Sequence, residues 1–291
     1  MNTQKPLVIY HGGCNDGFCA AWLAWKHFNG EADFHPANYG EPPPDVTDRT
    51  VYILDFSYKR PVMLEMAKAA KKLFVLDHHK TAAKELEGLS LVHGHPDEGT
   101  NIFCKFDMAK SGGRLTWEHF AGIERDRYTL ATEVFRSEPW LVAFTEDRDL
   151  WLWKLHASKE INAALASYPR EFETWDMFSN WKGEQLANFA REGAAILRYQ
   201  RQLVDLAVQN AVEIEIDGHK VLSVNTTCLV SEIGERLAKD RPFGATFFIR
   251  GSDGKKIWSL RSRDGGIDVS EVAKRHGGGG HKQAAGYEEM P

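Results

Sequence analysis

Side chains able to hold a metal ion or move a proton stand directly behind three short apolar runs in the first third of the chain. "LVIY" (7–10) leads into "HGGCNDG", which carries His11, Cys14, Asn15 and Asp16. "VYIL" (51–54) leads into Asp55, and "LFVL" (73–76) leads into Asp77, His78 and His79. One acid or histidine behind a strand is ordinarily a turn residue or a helix cap. The same feature after three successive strands needs another reason. In an open parallel sheet the carboxyl ends of neighbouring strands border one crevice, where such folds place their ligands. Carboxylates gathered there repel one another and take up protons unless cations sit among them. Mixed imidazole and carboxylate donors suit manganese, iron or zinc, with magnesium admissible on the oxygen-rich side.

Three further stretches carry chemistry. "WLVAFTEDRDLW" (140–151) sets Asp147 and Asp149 behind another apolar stretch. One of the two would complete a two-metal cluster, and the other would cap a helix or pair with Arg148. "AKSGGRLTWEHF" (109–120) reads as a glycine turn into a helix N-terminus, a place suited to positioning the sheet end or binding an anion. "RHGGGGHKQAAGY" (275–287) lets the backbone approach a ligand closely, and its N–H groups suit phosphate oxygens, with His281 and Lys282 at the edge. A flexible linker is the bland alternative, weakened by the apolar elements on either side. "HGH" (93–95) lies in a polar stretch and is read as loop rather than ligand.

The elements that must position these groups follow from hydrophobic periodicity. Strands are expected at 7–10, 51–54 and 73–76, separated by helices at about 17–28 and 60–72. Strands alternating with helices imply parallel pairing and an α/β sheet covered on both faces. "EPPPD" (41–45) can only be a loop. From about 112 to 210 the pattern is helical, ending in the amphipathic "GEQLANFAREGAAILRYQRQLVDLAVQNA". Beyond it, "VEIEI", "HKVLSVN", "GATFFIR" and "KIWSLRS" read as strands, with "SEIGERLAKD" and "DVSEVAKRH" as helices. The expected division is a parallel-sheet domain over 1–185, a helical linker over 186–211, and a smaller α+β domain over 212–291. Trp151, Trp153 and Trp258 are aromatics able to stack a base, although tryptophans near helices more often belong to a core.

Composition bounds the partners. With 291 residues, 43% hydrophobic, 26% charged and a net charge of −5, the chain is globular and has no global positive field to draw in long duplex nucleic acid. Its first residues show no long apolar region of a signal peptide, and no apolar run reaches membrane-spanning length. Four cysteines without a CxxC pair point to a reducing, cytoplasmic setting.

Taken in order, "YHGGCNDG", "ILDFS", "LDHH", "TEDRDLW" and "GGGGHKQAAG" resemble the DHH phosphoesterase family with its DHH-associated C-terminal domain, over almost the whole chain. The resemblance implies a hydrolase of phosphoester or phosphoanhydride bonds with two divalent ions, Mn2+ first and Mg2+, Co2+, Fe2+ or Zn2+ as alternatives, and an active site between the domains. By motif, His11 and Asp55 would hold one metal, with Asp55 bridging to a second held also by Asp16, His78 and Asp147. Asp77 would orient an imidazole and His79 would face the phosphate. Gly278, Gly279, Gly280 and His281 would clamp the substrate, with Arg261 as a further cation. The chain departs from the family where Cys14 stands in place of a common aspartate. It is either a thiolate ligand favouring softer metals or a packing residue. The expected substrate is a short oligonucleotide or small nucleotide. Inorganic polyphosphate, or a catalytically weak module that binds a phosphate ligand, are the alternatives. A homodimer is left open.

Overall fold

The computed structural model describes residues 4–89, 101–122 and 137–290. The chain forms two compact units, Met1–Ala194 and Ala195–Pro291. In the first, β1 (Leu7–His11), β2 (Asp33–Ala37), β3 (Thr50–Leu54), β4 (Lys72–Asp77) and β5 (Ile102–Phe106) form one sheet in the order β2-β1-β3-β4-β5. Every pairing is parallel. The central strands read as unbroken apolar runs because both faces are covered. Val8, Tyr52, Leu54, Phe74 and Leu76 enter one core, while Leu7, Ile9, Val51, Ile53, Leu73 and Val75 enter the other.

Helices α1 (Asn15–His27), α4 (Gly112–Ala121), α5 (Trp140–Asp149), α6 (Ser158–Ser167) and α7 (Phe172–Ser179) contribute to the first core, around Trp22, Phe120, Trp175 and Phe178. Met63 and Met66 of α2 (Arg60–Ala69) and Leu86, just beyond α3 (Lys80–Glu85), belong to the second. Two edge strands were not legible as strands. β2 is "DFHPA", whose proline breaks the pattern but is tolerated at a sheet edge. β5, "IFCKF", borders the opposite edge. "VYIL" is therefore the third strand of the chain rather than the second.

The long helix α8 (Glu184–Gln209) contains the boundary between the units. The second unit has β6 (Val212–Ile216), β7 (His219–Asn225), α9 (Val230–Leu237), β8 (Gly244–Ile249), β9 (Lys256–Arg261), α10 (Val269–Arg275), β10 (Gly279–Gly280) and β11 (Ala284–Glu289). Its strands make a mixed six-stranded sheet in the order β10-β11-β9-β8-β7-β6, in which only β7 and β8 run parallel. Trp258 belongs to this unit's core, and its Nε1 donates to Glu289 Oε2 at 2.7 Å. "QAAG" lies largely in β11 rather than in a flexible linker. Among the described residues, no helix is long and apolar enough to cross a membrane.

Candidate metal centre

The strand order reverses direction at β1, so the carboxyl ends of β1, β3 and β4 lie side by side. This is the switch point at which open α/β sheets bind ligands. His11 ends β1, Asp55 follows β3, and Asp77 ends β4. Asp55 takes φ +54°, a left-handed conformation that costs a non-glycine residue about 1–2 kcal/mol. Its N–H still donates to Leu76 O at 2.8 Å, so the turn remains tied to β4.

Asp55 is the hub of the rim. His78 Nε2 lies 3.0 Å from Asp55 Oδ1, 3.5 Å from Asp149 Oδ2 and 3.7 Å from Asp16 Oδ2. On its other side, Asp55 Oδ2 accepts from Cys14 Sγ at 3.2 Å and lies 3.5 Å from His11 Nδ1. Among the described residues of the first unit, three sets of potential donors each have their atoms within 4.8 Å of one another: His11, Cys14 and Asp55; Asp16, Asp55 and His78; and Asp55, Asp77 and His79. Only Asp55 belongs to all three.

Backbone groups hold the remaining carboxylates. The N-terminus of α4 gives Asp16 two hydrogen bonds, from Gly112 N–H to Oδ2 at 2.6 Å and from Gly113 N–H to Oδ1 at 3.0 Å. The anion expected at this helix terminus is thus a side chain of the protein itself. Glycine is required there, because a Cβ on Gly112 would lie 2.4 Å from Asp55 Cβ. Asp77 Oδ1 accepts from the N–H groups of His78 (2.7 Å) and His79 (3.3 Å) and pairs with His79 Nδ1 at 2.7 Å. Its Oδ2 is buried and has no hydrogen-bond partner among the described residues. Cys14 is the N-cap of α1, with Sγ accepting from Gly17 N–H at 3.2 Å and lying 3.4 Å from His11 Nδ1.

Electrostatics fit a cation at this rim. Burial pushes the Asp16 carboxyl well above the usual carboxylate range, with the charges of Asp55 and Asp149 adding to the effect. Desolvation at the crowded rim also raises Asp149, and again the Asp55 charge adds. Asp55 goes the other way. Burial opposes its ionisation, but hydrogen bonds with His11 and His78 hold it well below the ordinary value. Burial alone would lower His78, yet the Asp55 hydrogen bond and the surrounding acids raise it well above normal. Burial and the charge of Asp55 push the Cys14 thiol up. Three carboxylates face one imidazole nitrogen, and a carboxylate oxygen beside them lacks a donor. A divalent ion would relieve both conditions.

The structure reverses the expected roles of the two acids on α5. Asp149, not Asp147, reaches His78. Asp147 instead accepts from Lys154 N–H at 2.8 Å and Leu155 N–H at 3.4 Å, closing the turn after the helix. Residues two apart on a helix face nearly opposite ways, so only one of the pair can turn toward the rim. Two neighbours of the rim carried no signal in the sequence. Arg170 donates to Asn15 Oδ1 (2.9 Å), Gly12 O (3.1 Å) and Gly13 O (3.3 Å), bracing the loop after β1. Tyr39 follows the unrecognised strand β2 and rests its ring against His11 and His79.

In the second unit, Arg261 ends β9 and pairs in register with Ala284 of β11. Its guanidinium donates to Ser231 Oγ and Leu260 O, both at 2.9 Å. His281 closes the adjoining hairpin, donating its N–H to Ala284 O at 2.8 Å. The glycine run is part of the sheet, and one of its N–H groups is not open to a ligand. Gly278 N–H is committed to Ala273 O at 2.9 Å, and Gly279 and Gly280 pair with β11. A Cβ on Gly278 would lie 2.0 Å from Gly286 O, so this glycine serves close packing. His93 and His95 lie outside the described residues.

Residues 224–288 match the DHHA1 domain. The chain is 28% identical over 307 residues to the uncharacterized protein R106 of Acanthamoeba polyphaga mimivirus, covering 97% of this chain and 67% of that one. It is 30% identical over 239 residues to the oligoribonuclease NrnB of Bacillus subtilis (strain 168), covering 76% of this chain and 54% of that one. The chain thus spans about two thirds of the first relative's length and about half of the second's. Among solved structures, RecJ in complex with Mn2+ from Thermus thermophilus aligns with a TM-score of 0.45 at 11% identity, over 99% of this chain and 50% of that one. With "LDHH" closing β4 at the rim and the DHHA1 match beyond the long helix, the chain belongs to the DHH phosphoesterase family.

Proposed function

We propose that the protein hydrolyses phosphoester bonds of short oligonucleotides or small nucleotides with the help of two divalent metal ions. The observation that carries this reading is the position of Asp55, shared by the three donor sets formed within the first unit. His11, Asp55 and Cys14 would serve one ion, and Asp16, Asp55, His78 and Asp149 the other. Ions held there would supply a lowered pKa for an attacking water and would offset charge developing on the phosphoryl oxygens.

The side chains supply the rest. Asp77 fixes the imidazole of His79, which would face the phosphate with a set orientation. The α4 N-terminus and Arg170 keep Asp16 and the loop after β1 in place, so little reorganisation is needed on substrate binding. Arg261 and His281 would bind phosphate oxygens. The oligoribonuclease named among the relatives favours short RNA as the substrate class.

The test is turnover of a panel of dinucleotides, cyclic dinucleotides, adenosine bisphosphate and inorganic polyphosphate, each with manganese, magnesium or cobalt. Metal-dependent hydrolysis of the dinucleotides is expected. Hydrolysis of polyphosphate alone would overturn the substrate class, and no hydrolysis with any metal would overturn the enzymatic reading.

A further inference from the structure

Tyr39 stands out among the aromatic residues beside the rim. Its ring lies 5.7 Å from the His11 ring, 6.2 Å from that of His79 and 4.9 Å from that of Phe56. Phe56 is buried, whereas Tyr39 is 50% exposed. The ring is therefore anchored on two residues of the candidate centre and still presents surface to solvent.

Its backbone is anchored too. Asn38 N–H donates to Glu41 Oε2 at 3.1 Å, and Glu41 N–H returns to Asn38 O at 3.2 Å. Gly40, at φ +89°, completes this turn. A tyrosine has only two side-chain torsions to immobilise, so a ring already held by its neighbours loses little entropy on binding a planar partner. Aromatic residues held beside a phosphate-binding track are how proteins grip single-stranded nucleic acid without reading its sequence.

We propose that Tyr39 is the platform on which a nucleobase of the substrate stacks while the adjoining phosphate reaches the Asp55 rim. This rests on the phosphohydrolase reading of that rim and narrows its substrate to molecules that carry a base. Inorganic polyphosphate has no flat face to offer Tyr39 and gains nothing from it.

The test is a cycle between residue and base. Affinity and turnover of a dinucleotide, and of the two dinucleotides with an abasic sugar at one or the other position, are measured for the metal-loaded parent protein, Tyr39→Phe and Tyr39→Ala. Stacking on an aromatic side chain predicts about a tenfold loss of dinucleotide affinity in Tyr39→Ala, read as KM far more than kcat, with Tyr39→Phe close to the parent. Removing the stacked base should cost the parent the same factor and cost Tyr39→Ala almost nothing more. Equal losses on intact and abasic dinucleotides would overturn the platform, since Tyr39 would then act through His11 or His79. An unchanged Tyr39→Ala would overturn it as well. The cycle in affinity separates this idea from the reaction itself. Coupling without turnover keeps the platform and sinks the hydrolase, whereas turnover without coupling does the reverse.

Discussion

At the rim of the first unit, Asp16, Asp55, Asp77 and His78 are buried, and the three carboxylates are aimed by backbone N–H groups, a strained turn and a helix terminus. At the sheet end of the second unit, Arg261 and His281 stay half-exposed beside a hairpin in which Gly278 and Gly280 pack closely against β11. The contrast follows from what each region would hold. Closely spaced carboxylates need a desolvated, rigid setting if they are to bind a small cation tightly and in one geometry. Groups that meet a larger substrate arriving from water must stay accessible. Burial and preorganisation thus mark the candidate metal centre, and accessible hydrogen-bonding side chains mark the candidate substrate grip.

The largest expected effect comes from the hub. Asp55→Asn keeps the shape but removes the charge common to all three donor sets. A loss of at least about a thousandfold in metal-dependent turnover is expected. Elemental analysis should show less metal bound, while circular dichroism stays unchanged. Full metal content with parental turnover would erase the distinction between the two regions.

The pair on α5 sharpens the comparison within the first unit. Asp149→Asn should weaken manganese binding by about 10–100-fold in a calorimetric titration. Asp147→Asn should leave that titration near the parent and cost about 1 kcal/mol in urea unfolding, through its hydrogen bonds to the loop. The opposite pattern would return Asp147 to the metal.

His281→Ala tests the second region. About a tenfold rise in KM is expected with manganese stoichiometry intact, because binding rather than metal retention is lost. Metal loss from this variant would break the division of labour.

Cys14 should give the smallest effect. Serine is a good N-cap, so Cys14→Ser should change stability by less than about 0.5 kcal/mol. If sulfur is also a ligand, the same variant binds zinc less well relative to manganese, and Cys14→Asp moves the preference further toward manganese. Titrations with an unchanged metal ranking would leave the cap as the sole role of this thiol.

Much of the first unit was legible because its information is local. Apolar runs at β1, β3 and β4 announce strands covered on both faces, and the polar groups immediately behind them announce the rim. β2 was not legible, since "DFHPA" lacks an apolar pattern and takes its strand geometry from pairing with β1. Tyr39, which follows that strand, was missed with it. "SGGR" was recognised as an anion-suited helix start, but nothing in it says that the anion would be Asp16, ninety-six residues away.

The sequence by itself determined the kind of chemistry and the elements that carry it, because hydrophobic period, turn residues and donor types are properties of neighbouring positions. Only the tertiary structure decided which of Asp147 and Asp149 turns to His78, that Asp16 is the anion at the start of α4, and that Gly278 gives its N–H to Ala273 O rather than to a ligand. Those outcomes depend on which face of a helix or turn meets a distant strand. Packing sets that geometry among residues far apart in the chain, and no local pattern encodes it.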